Sequence, residues 1–268
     1  MKYRTMASFT VDTEKDLHSD DYAGIKRGLQ RLLLILEKRG IKATFFVTGD
    51  VVKRFPDTIK KLKNDGHEVA LHGYSHKRFD IMSSDEKKKD INLAIRCYKR
   101  VFKTNSKGFR APQHSIDNET IKILSKKGIK YDSSICTGNL LLLRHLVKRH
   151  SDKRMILKSF FGKNKPNFIS KELLEIPRSS PLIAVGGFEI KILPLFLIYS
   201  LIILHKVLNI PLNIVIHSWD LINVKNSLTS KYISHRDFEK KLERVLNFCE
   251  KRYRFYKMEE INENIRTN

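Results

Sequence analysis

Two histidines four residues apart, His72 and His76, have the residue type and spacing of part of a metal site. Alternating polar and apolar residues at 67–72 predict a short strand, and 73–75 predicts a turn, so both imidazoles can face one point. Zinc and similar divalent ions bind neutral imidazole nitrogen, and a catalytic site needs three protein ligands and one open position. An isolated pair of this spacing also occurs among ordinary surface residues, so the rest of the chain must supply a third ligand and a base.

Two carboxylates, Asp12 and Glu14, follow an apolar run at 3–11 that predicts a strand. Residues two apart on a strand share a face, so both carboxylates can aim at one centre. A solvated acidic turn is the alternative explanation of the same residues. The pair therefore supplies a ligand and a base only if the fold brings it to the histidines.

Strand and helix signals alternate along the chain with short connections. Strands are predicted at 3–11, 41–47, 67–72, 107–110, 129–132 and 213–217, and helices at 22–39, 51–64, 83–102, 117–127, 193–208 and 234–251. This alternation is typical of parallel α/β folds, in which chemistry takes place at the carboxyl ends of the strands. The predicted strand ends carry Asp12, Glu14, His72, His76, Arg110, Asp132 and His217.

The 268 residues contain no internal repeat and no linker rich in proline, glycine or serine, which favours a single domain over 1–268. The alternation lapses at about 138–171, a basic insertion. Cys97, Cys136 and Cys249 are widely spaced and odd in number, so we expect free thiols rather than disulfides. The first residues lack the apolar region of a secretion signal, and we therefore expect a cytoplasmic protein.

The formal net charge is +23, which predicts attraction to nucleic acid or to an anionic membrane surface, unless a lysine-rich proteome is the cause. No nucleic-acid-binding module is recognisable, so no specific nucleic acid is expected. The stretch 140–149 predicts a basic amphipathic helix, which suits either a membrane surface or packing on the domain. The apolar run 193–208 is too short to span a membrane and predicts a buried helix, with a membrane-dipping helix as the alternative.

The candidate site residues lie in five short motifs: Val11-Asp12-Thr13-Glu14, His72-Gly73-Tyr74-Ser75-His76, Arg110-Ala111-Pro112, Tyr131-Asp132-Ser133-Ser134-Ile135 and Ile214-Val215-Ile216-His217. The motifs occur in the order found in the polysaccharide deacetylase family, the NodB-homology carbohydrate esterases, which this chain resembles over about residues 5–220. The resemblance implies a distorted TIM-like (β/α)7 barrel, the NodB-homology fold. The stretches 175–177, 186–188 and 217–220, with Pro194, further resemble an exopolysaccharide-associated subgroup. Two positions depart from the family pattern: Gln113 replaces a frequent aromatic residue, and Glu14 replaces the usual metal-binding aspartate.

The resemblance implies a role for the first three motifs. A divalent metal, with zinc as the first expectation, would be held by Glu14, His72 and His76. Asp12 would be the general base, and Arg110 would orient it and keep it ionised.

The last two motifs would supply the acid and part of the substrate site. His217 would be the general acid, with Asp132 as its charge partner. A backbone N–H near Ser133 or Ser134 would stabilise the oxyanion. The residues implied to contact substrate are Pro112, Ser133, Ser134 and Trp219.

The implied activity is metal-dependent removal of N-acetyl groups from an acetylated amino sugar. With the basic charge and the expected location, the sugar is predicted to be attached to a lipid or nucleotide carrier at the cytoplasmic face of the membrane. One alternative enzyme acts on small cyclic amides or ureides, as allantoinases of similar fold do. A non-haem iron oxygenase also uses two histidines and one carboxylate, but its usual host fold conflicts with the alternation seen here. A non-catalytic glycan- or nucleic-acid-binding relative is the alternative outside enzymes.

Overall fold

The structure is a computed structural model that describes residues 3–16, 21–140, 157, 160–223 and 233–267. Most of the predicted basic helix at 140–149 lies outside these residues, as does about half of the basic insertion. Within the described ranges, no helix combines the length and hydropathy that a membrane crossing requires.

The described strands form one curved, mainly parallel sheet and a small second sheet. The strands are β1 (Met6–Thr13), β2 (Thr44–Val47), β3 (Glu68–Leu71), β4 (Gly108–Phe109), β5 (Tyr131–Asp132), β6 (Cys136–Thr137), β7 (Asn167–Phe168), β8 (Leu174–Glu175), β9 (Arg178–Ser179), β10 (Leu212–His217) and β11 (Arg254–Phe255). In the main sheet, the parallel strands follow the order β10-β1-β2-β3-β4-β5-β8, with antiparallel β7 beyond β8 and β11 beside the start of β1. Strands β6 and β9 pair separately.

The helices connect successive parallel strands and then extend beyond β10. They are α1 (Leu29–Lys38), α2 (Gly49–Arg54), α3 (Pro56–Asn64), α4 (Ser84–Phe102), α5 (Asn118–Lys126), α6 (Gly187–Ile192), α7 (Leu195–Val207), α8 (His235–Glu250) and α9 (Met258–Thr267). The predicted helix at 51–64 is two helices, because Pro56 lacks a backbone N–H and begins α3 as its first residue. The helix predicted at 193–208 is α7, which Pro194 separates from the shorter α6.

Seven parallel strands with helical connections confirm the predicted α/β class and the distorted (β/α)7 barrel. The two edges of the curved sheet approach each other, since Gly186, beyond β9, forms a parallel bridge with Val215 of β10. The larger hydrophobic cluster includes buried residues of both the strands and the helices around them, such as Phe9 of β1 and Leu32 of α1. Burying a side chain of this size stabilises the fold by about 1.5–3 kcal/mol.

A smaller cluster fills the space enclosed by the strands. It consists of Met6, Phe46, Ala70, Tyr131, Leu174, Ile176, Met258 and Ile261. Helix α9 lies across the amino-terminal ends of the strands, where the Met258 N–H donates to Thr44 Oγ1 and the Glu259 N–H donates to Glu68 Oε2. The carboxyl ends of the strands are at the opposite end, and this is the end that carries the predicted site residues.

Candidate active site

A tight turn after β3 places His72 and His76. Gly73 has a φ of +66°, where a Cβ would come 3.0 Å from Asp90 Oδ1, so the turn requires glycine. Asp90 of α4 holds the turn by accepting hydrogen bonds from the Tyr74 N–H at 2.6 Å and the Ser75 N–H at 3.0 Å. Both histidines therefore rest on a turn that is fixed from outside the strand.

Glu14, His72 and His76 converge as predicted, and their ligand atoms all lie within 4.8 Å of one another. His72 Nε2 is 3.4 Å from Glu14 Oε2, and His76 Nε2 makes a closer contact with the same oxygen. His72 Nδ1 lies 2.8 Å from the Arg110 carbonyl oxygen. Nδ1 is thus engaged with this carbonyl, and Nε2 is the ring nitrogen that faces Glu14.

This donor set fits a divalent metal ion. Glu14 Oε2 is buried and has no hydrogen bond of acceptable geometry among the described residues, although two imidazole nitrogens face it. Burial acts to raise the pKa of Glu14, but interactions with His72 and His76 outweigh it and lower that pKa to about 2. A carboxylate and two imidazole nitrogens converging on one point are the donor types of a catalytic zinc site.

Arg110 organises the centre beside these ligands. Its guanidinium is fully buried and donates from Nη1 to Asp12 Oδ1 at 2.7 Å and to Thr10 Oγ1 at 3.1 Å. It also lies 4.0 Å from the ring centroid of Phe46. Burial opposes ionisation of Asp12, yet Arg110, with help from nearby histidines, holds the pKa of this carboxyl well below its usual range. Asp12 is therefore a buried anion with a fixed orientation.

His217 ends β10 directly beside Asp12, because the parallel register pairs these two residues. Its Nε2 lies 4.0 Å from Asp12 Oδ2, and its Nδ1 lies 3.7 Å from Asp220 Oδ2. Lys191 Nζ donates to the other oxygen of Asp220 at 2.6 Å. Burial acts to lower the pKa of His217, but the carboxylate of Asp220 and then those of Asp12 and Glu14 raise it above the ordinary value.

The predicted charge partner of His217 is corrected by this arrangement, since Asp220 lies at its ring and Asp132 is engaged elsewhere. Asp132 accepts from Ser134 Oγ at 2.6 Å and lies opposite Glu175 in the register of β5 and β8. Burial, together with the mutual repulsion of the two carboxylates, raises the pKa of Glu175 well above its usual value. The pair is therefore held with a shared proton. The +3 spacing of Asp220 from His217 was the sequence signal for the true neighbour.

The predicted substrate contacts at Ser133 and Ser134 are also corrected, because both side chains are fully buried. Ser133 Oγ accepts from Arg110 Nη2, and Ser134 Oγ accepts from the Ala111 N–H. Their backbone N–H groups are occupied too: that of Ser133 donates to the Phe109 carbonyl and that of Ser134 to Asp132 Oδ2. Neither N–H is free for the predicted oxyanion.

The remaining predicted substrate residues pack close to the centre. Trp219 stacks on the His217 ring with centroids 4.5 Å apart and is 7% exposed, so it supports the orientation of His217. Pro112 is buried and begins a turn in which Gln113 and His114 both have left-handed backbone angles, with φ of +52° and +56°. Such strain in residues other than glycine is concentrated at functional sites.

His114 was not among the predicted site residues, although it follows the third motif directly. Its Nδ1 lies 3.1 Å from the Ser134 carbonyl oxygen. Burial and then the positive charges of Arg110 and Arg178 lower its pKa to about 3, so the ring is neutral. The sequence signal was a histidine adjoining Gln113, the position at which the family pattern was interrupted.

Comparison with protein families places this site in a wider context. Residues 6–131 match the family model described as polysaccharide deacetylase, a range that contains Asp12, Glu14, both histidines of the β3 turn and Arg110. His217 and Asp220 lie beyond the matched range.

Two curated relatives align with the same part of the chain. A peptidoglycan deacetylase-like protein of Gibberella zeae is 36% identical over 122 residues, which cover 44% of this chain and 36% of that protein. A peptidoglycan deacetylase of Helicobacter pylori is 31% identical over 124 residues, covering 46% of this chain and 42% of that protein. The aligned region thus spans less than half the length of either relative.

The fold extends further than the sequence similarity. A crystal structure from Mycobacterium smegmatis, assigned as a polysaccharide deacetylase, superposes with a TM-score of 0.67 at 19% identity. The superposition covers 98% of this chain and 91% of that one. At this identity the likeness concerns the fold alone.

Proposed function

We propose that this chain, whose residues 6–131 match the polysaccharide deacetylase family model, hydrolyses the N-acetyl group of an acetylated amino sugar with a divalent metal, zinc being the expected ion. The observation that carries this proposal is the convergence of Glu14, His72 and His76 beside the ionised Asp12. The alternative of a non-catalytic relative predicts no acetate release, so the assay below distinguishes it from the proposed enzyme.

Each group has a distinct task in the proposed reaction. Glu14, His72 and His76 would hold the ion, which when bound polarises a carbonyl oxygen and lowers the pKa of water. Asp12 takes a proton from the water that attacks the acetyl carbon, and Arg110 keeps its carboxylate in position.

The second proton transfer completes the hydrolysis. The carbon–nitrogen bond breaks while His217 gives its proton to the departing amine nitrogen, leaving acetate and a free amino sugar. The raised pKa of His217, caused chiefly by Asp220 against the effect of burial, keeps the imidazole protonated for this step. Asp12, whose pKa is lowered, therefore serves as the base, and His217, whose pKa is raised, serves as the acid.

The substrate class within this chemistry is proposed from two lines of support. The named relatives act on peptidoglycan or are similar to proteins that do, which favours an acetylated glycan. The net charge of +23 favours a glycan presented on an anionic carrier, a lipid or a nucleotide, at the cytoplasmic side of the membrane. Cell fractionation with an antibody to the chain tests the location.

Acetate release tests the activity directly. The purified protein should release acetate from N-acetylglucosamine oligosaccharides, lose this activity after dialysis against a chelator, and regain it when zinc or another divalent ion is added. Allantoin and cyclic imides form the comparison panel. Hydrolysis of those compounds in preference to the sugars, or full activity in protein shown by elemental analysis to be metal-free, contradicts the proposal.

The pH dependence of the reaction should depend on Asp220. His217 acts as the acid only when protonated, so activity falls as the pH rises through its raised pKa. Asp220→Asn removes the carboxylate that raises this pKa, and the alkaline limb of the kcat profile should move to lower pH. Because the acid itself remains, the loss at neutral pH should stay below the roughly 10²- to 10⁴-fold contribution of a general acid.

A matched control for this substitution is Asp57→Asn, at a carboxylate that is 95% exposed on α3. The control should keep the profile of the unsubstituted protein. An alkaline limb that does not move in Asp220→Asn, in protein that remains folded by circular dichroism, excludes the proposed coupling of Asp220 to His217.

A further inference from the structure

Helix α7 exposes several large apolar side chains along one side. Phe196 is 66% exposed, Ile203 is 46% exposed and Val207 is 62% exposed. Their spacing of seven and four residues puts them on one side of the helix. We name the side formed by these three side chains the α7 apolar face; Ile192, Leu197 and Leu208 are further exposed apolar residues close to it in the chain.

The opposite side of α7 is already used by the core. Ile198, Leu201 and Ile202 are buried there against the rest of the domain. Single exposed apolar residues are common, but a contiguous apolar face of this kind marks an interaction surface. The helix has 13 residues and is roughly 20 Å long at the usual rise, short of the hydrocarbon thickness of a bilayer. It can lie in a membrane interface but not cross it.

The charges around this face favour an anionic partner. From 190 to 217 the chain contains no aspartate or glutamate, and Glu189 just before it is buried. Two cations lie close to α7. Lys206 is on the helix itself, and Arg252 stacks on Phe248, whose ring stacks in turn on Tyr199 of α7. With a net charge of +23 and no carboxylate between 190 and 217, this part of the chain is attracted to an anionic surface.

We propose that α7 docks in the interface of an anionic lipid bilayer, with the α7 apolar face at the acyl boundary and the flanking cations among the headgroups. The occupant is a lipid surface because its two chemical features, an apolar boundary and negative headgroups, match the two features of this part of the protein. A second copy of the chain would bring the same positive charge to the contact.

The position of α7 links this docking to the active site. The chain runs from α7 into the start of β10, so the first turn of α7 lies at the end of the barrel where β10 finishes with His217. Lys191, four residues before α7, donates to Asp220 beside His217. With α7 lying in the plane of the interface, the active-site end of the barrel would be level with the first turn of the helix and would open along the bilayer surface. This consequence rests on the proposed function and suits a glycan carried by a lipid.

Vesicle co-sedimentation tests the docking. At physiological salt, the full chain should pellet with vesicles of phosphatidylglycerol and phosphatidylcholine and remain largely in solution with phosphatidylcholine alone. The triple variant Phe196→Ser, Ile203→Ser, Val207→Ser should bind the anionic vesicles at least about tenfold more weakly, since it lacks three apolar side chains that would be buried in the interface. All three positions are exposed, so the fold should tolerate the changes.

The matched control is Leu34→Ser with Ile81→Ser, at side chains that are 67% and 70% exposed on other parts of the surface. It should bind vesicles like the unsubstituted protein. Three results overturn the proposal: no pelleting of the unsubstituted chain with anionic vesicles, equal binding by the triple variant, or a dimer in solution that the triple variant converts to a monomer without any effect on vesicle binding.

Acetate release from soluble oligosaccharides separates this inference from the proposed function. The triple variant should retain that activity, because none of its substitutions lies in the site. Vesicle binding without any acetate release in either protein contradicts the proposed function and leaves the docking intact. Acetate release without vesicle binding contradicts the docking alone.

Discussion

Replacing Asp12 with asparagine should lower kcat for acetate release by about 10²- to 10⁴-fold, the usual contribution of a general base. Asparagine has the same shape and keeps an oxygen for the hydrogen bond that Arg110 Nη1 now donates at 2.7 Å. It cannot take a proton from water. KM should change much less than kcat, because the lost interaction belongs to the transition state.

Metal content is the control for this substitution. Asp12 is not one of the three converging ligands, so the variant should bind zinc with the same stoichiometry by elemental analysis. Its near-ultraviolet circular dichroism should also match the unsubstituted protein. Activity within about threefold of normal would remove Asp12 from the proposed mechanism, whereas loss of the metal would make it a ligand instead of a base.

The alternation of strands and helices was predictable because it depends on local patterns. Buried strands such as β1 and β10 are apolar runs, and the helices around them carry apolar residues at helical spacing. The break between α2 and α3 was not predictable in this way, because the apolar periodicity continues through Pro56 although the helix is interrupted there. Strands β6 and β9 have only two residues each, too few to produce a pattern.

The site residues that follow neighbouring parallel strands were predictable from the sequence. Glu14, His72 and His76 meet because parallel strands β1, β2 and β3 are neighbours in chain order. The pairing of Asp12 with His217 joins residues more than 200 positions apart, and only the resemblance to a family indicated it. Local sequence carries no register for strands so far apart.

The incorrect predictions concern which groups contact one another, not which residue types surround the site. Asp132 and Asp220 both follow strands near the centre, and only three-dimensional packing decides which one faces His217. The backbone N–H groups of Ser133 and Ser134 were predicted to be available, but the sheet and Asp132 use them. Hydrogen-bond occupancy of this kind depends on neighbouring strands and cannot be derived from composition or spacing.

Buried charges in this barrel occur as compensated groups. Arg110 pairs with Asp12, and Lys191 pairs with Asp220. Asp132 and Glu175 are both carboxyl groups, and their compensation is a shared proton. Each arrangement avoids an isolated buried charge, whose cost would exceed most single interactions in the fold. The pairs of Arg110 with Asp12 and of Lys191 with Asp220 also set the protonation states that the proposed reaction needs. Stability and the proposed catalysis therefore depend on the same contacts.

Arg110→Met should therefore lower the free energy of unfolding by about 3–5 kcal/mol at pH 7, the effect of removing one partner from a buried ion pair. Asp12 would remain buried as an anion without its guanidinium. In the unsubstituted protein the pKa of Asp12 is lowered, so its ionisation stabilises the fold above its unfolded pKa and this stabilisation is lost on acidification. In the variant, burial raises that pKa with only the neighbouring histidines to oppose it, and protonation relieves the penalty.

The difference in stability between the two proteins should consequently shrink as the pH falls from 7 to about 4, near the ordinary pKa of an aspartate. Urea unfolding of both proteins, each freed of metal so that ion release does not intervene, measures this difference. Arg110→Lys keeps a positive charge but loses the planar guanidinium that contacts Asp12, Thr10 and Ser133. Its free energy of unfolding should therefore lie between those of the unsubstituted protein and Arg110→Met. A difference that stays constant with pH would mean that the loss comes from packing against Phe46 and not from the charge of Asp12.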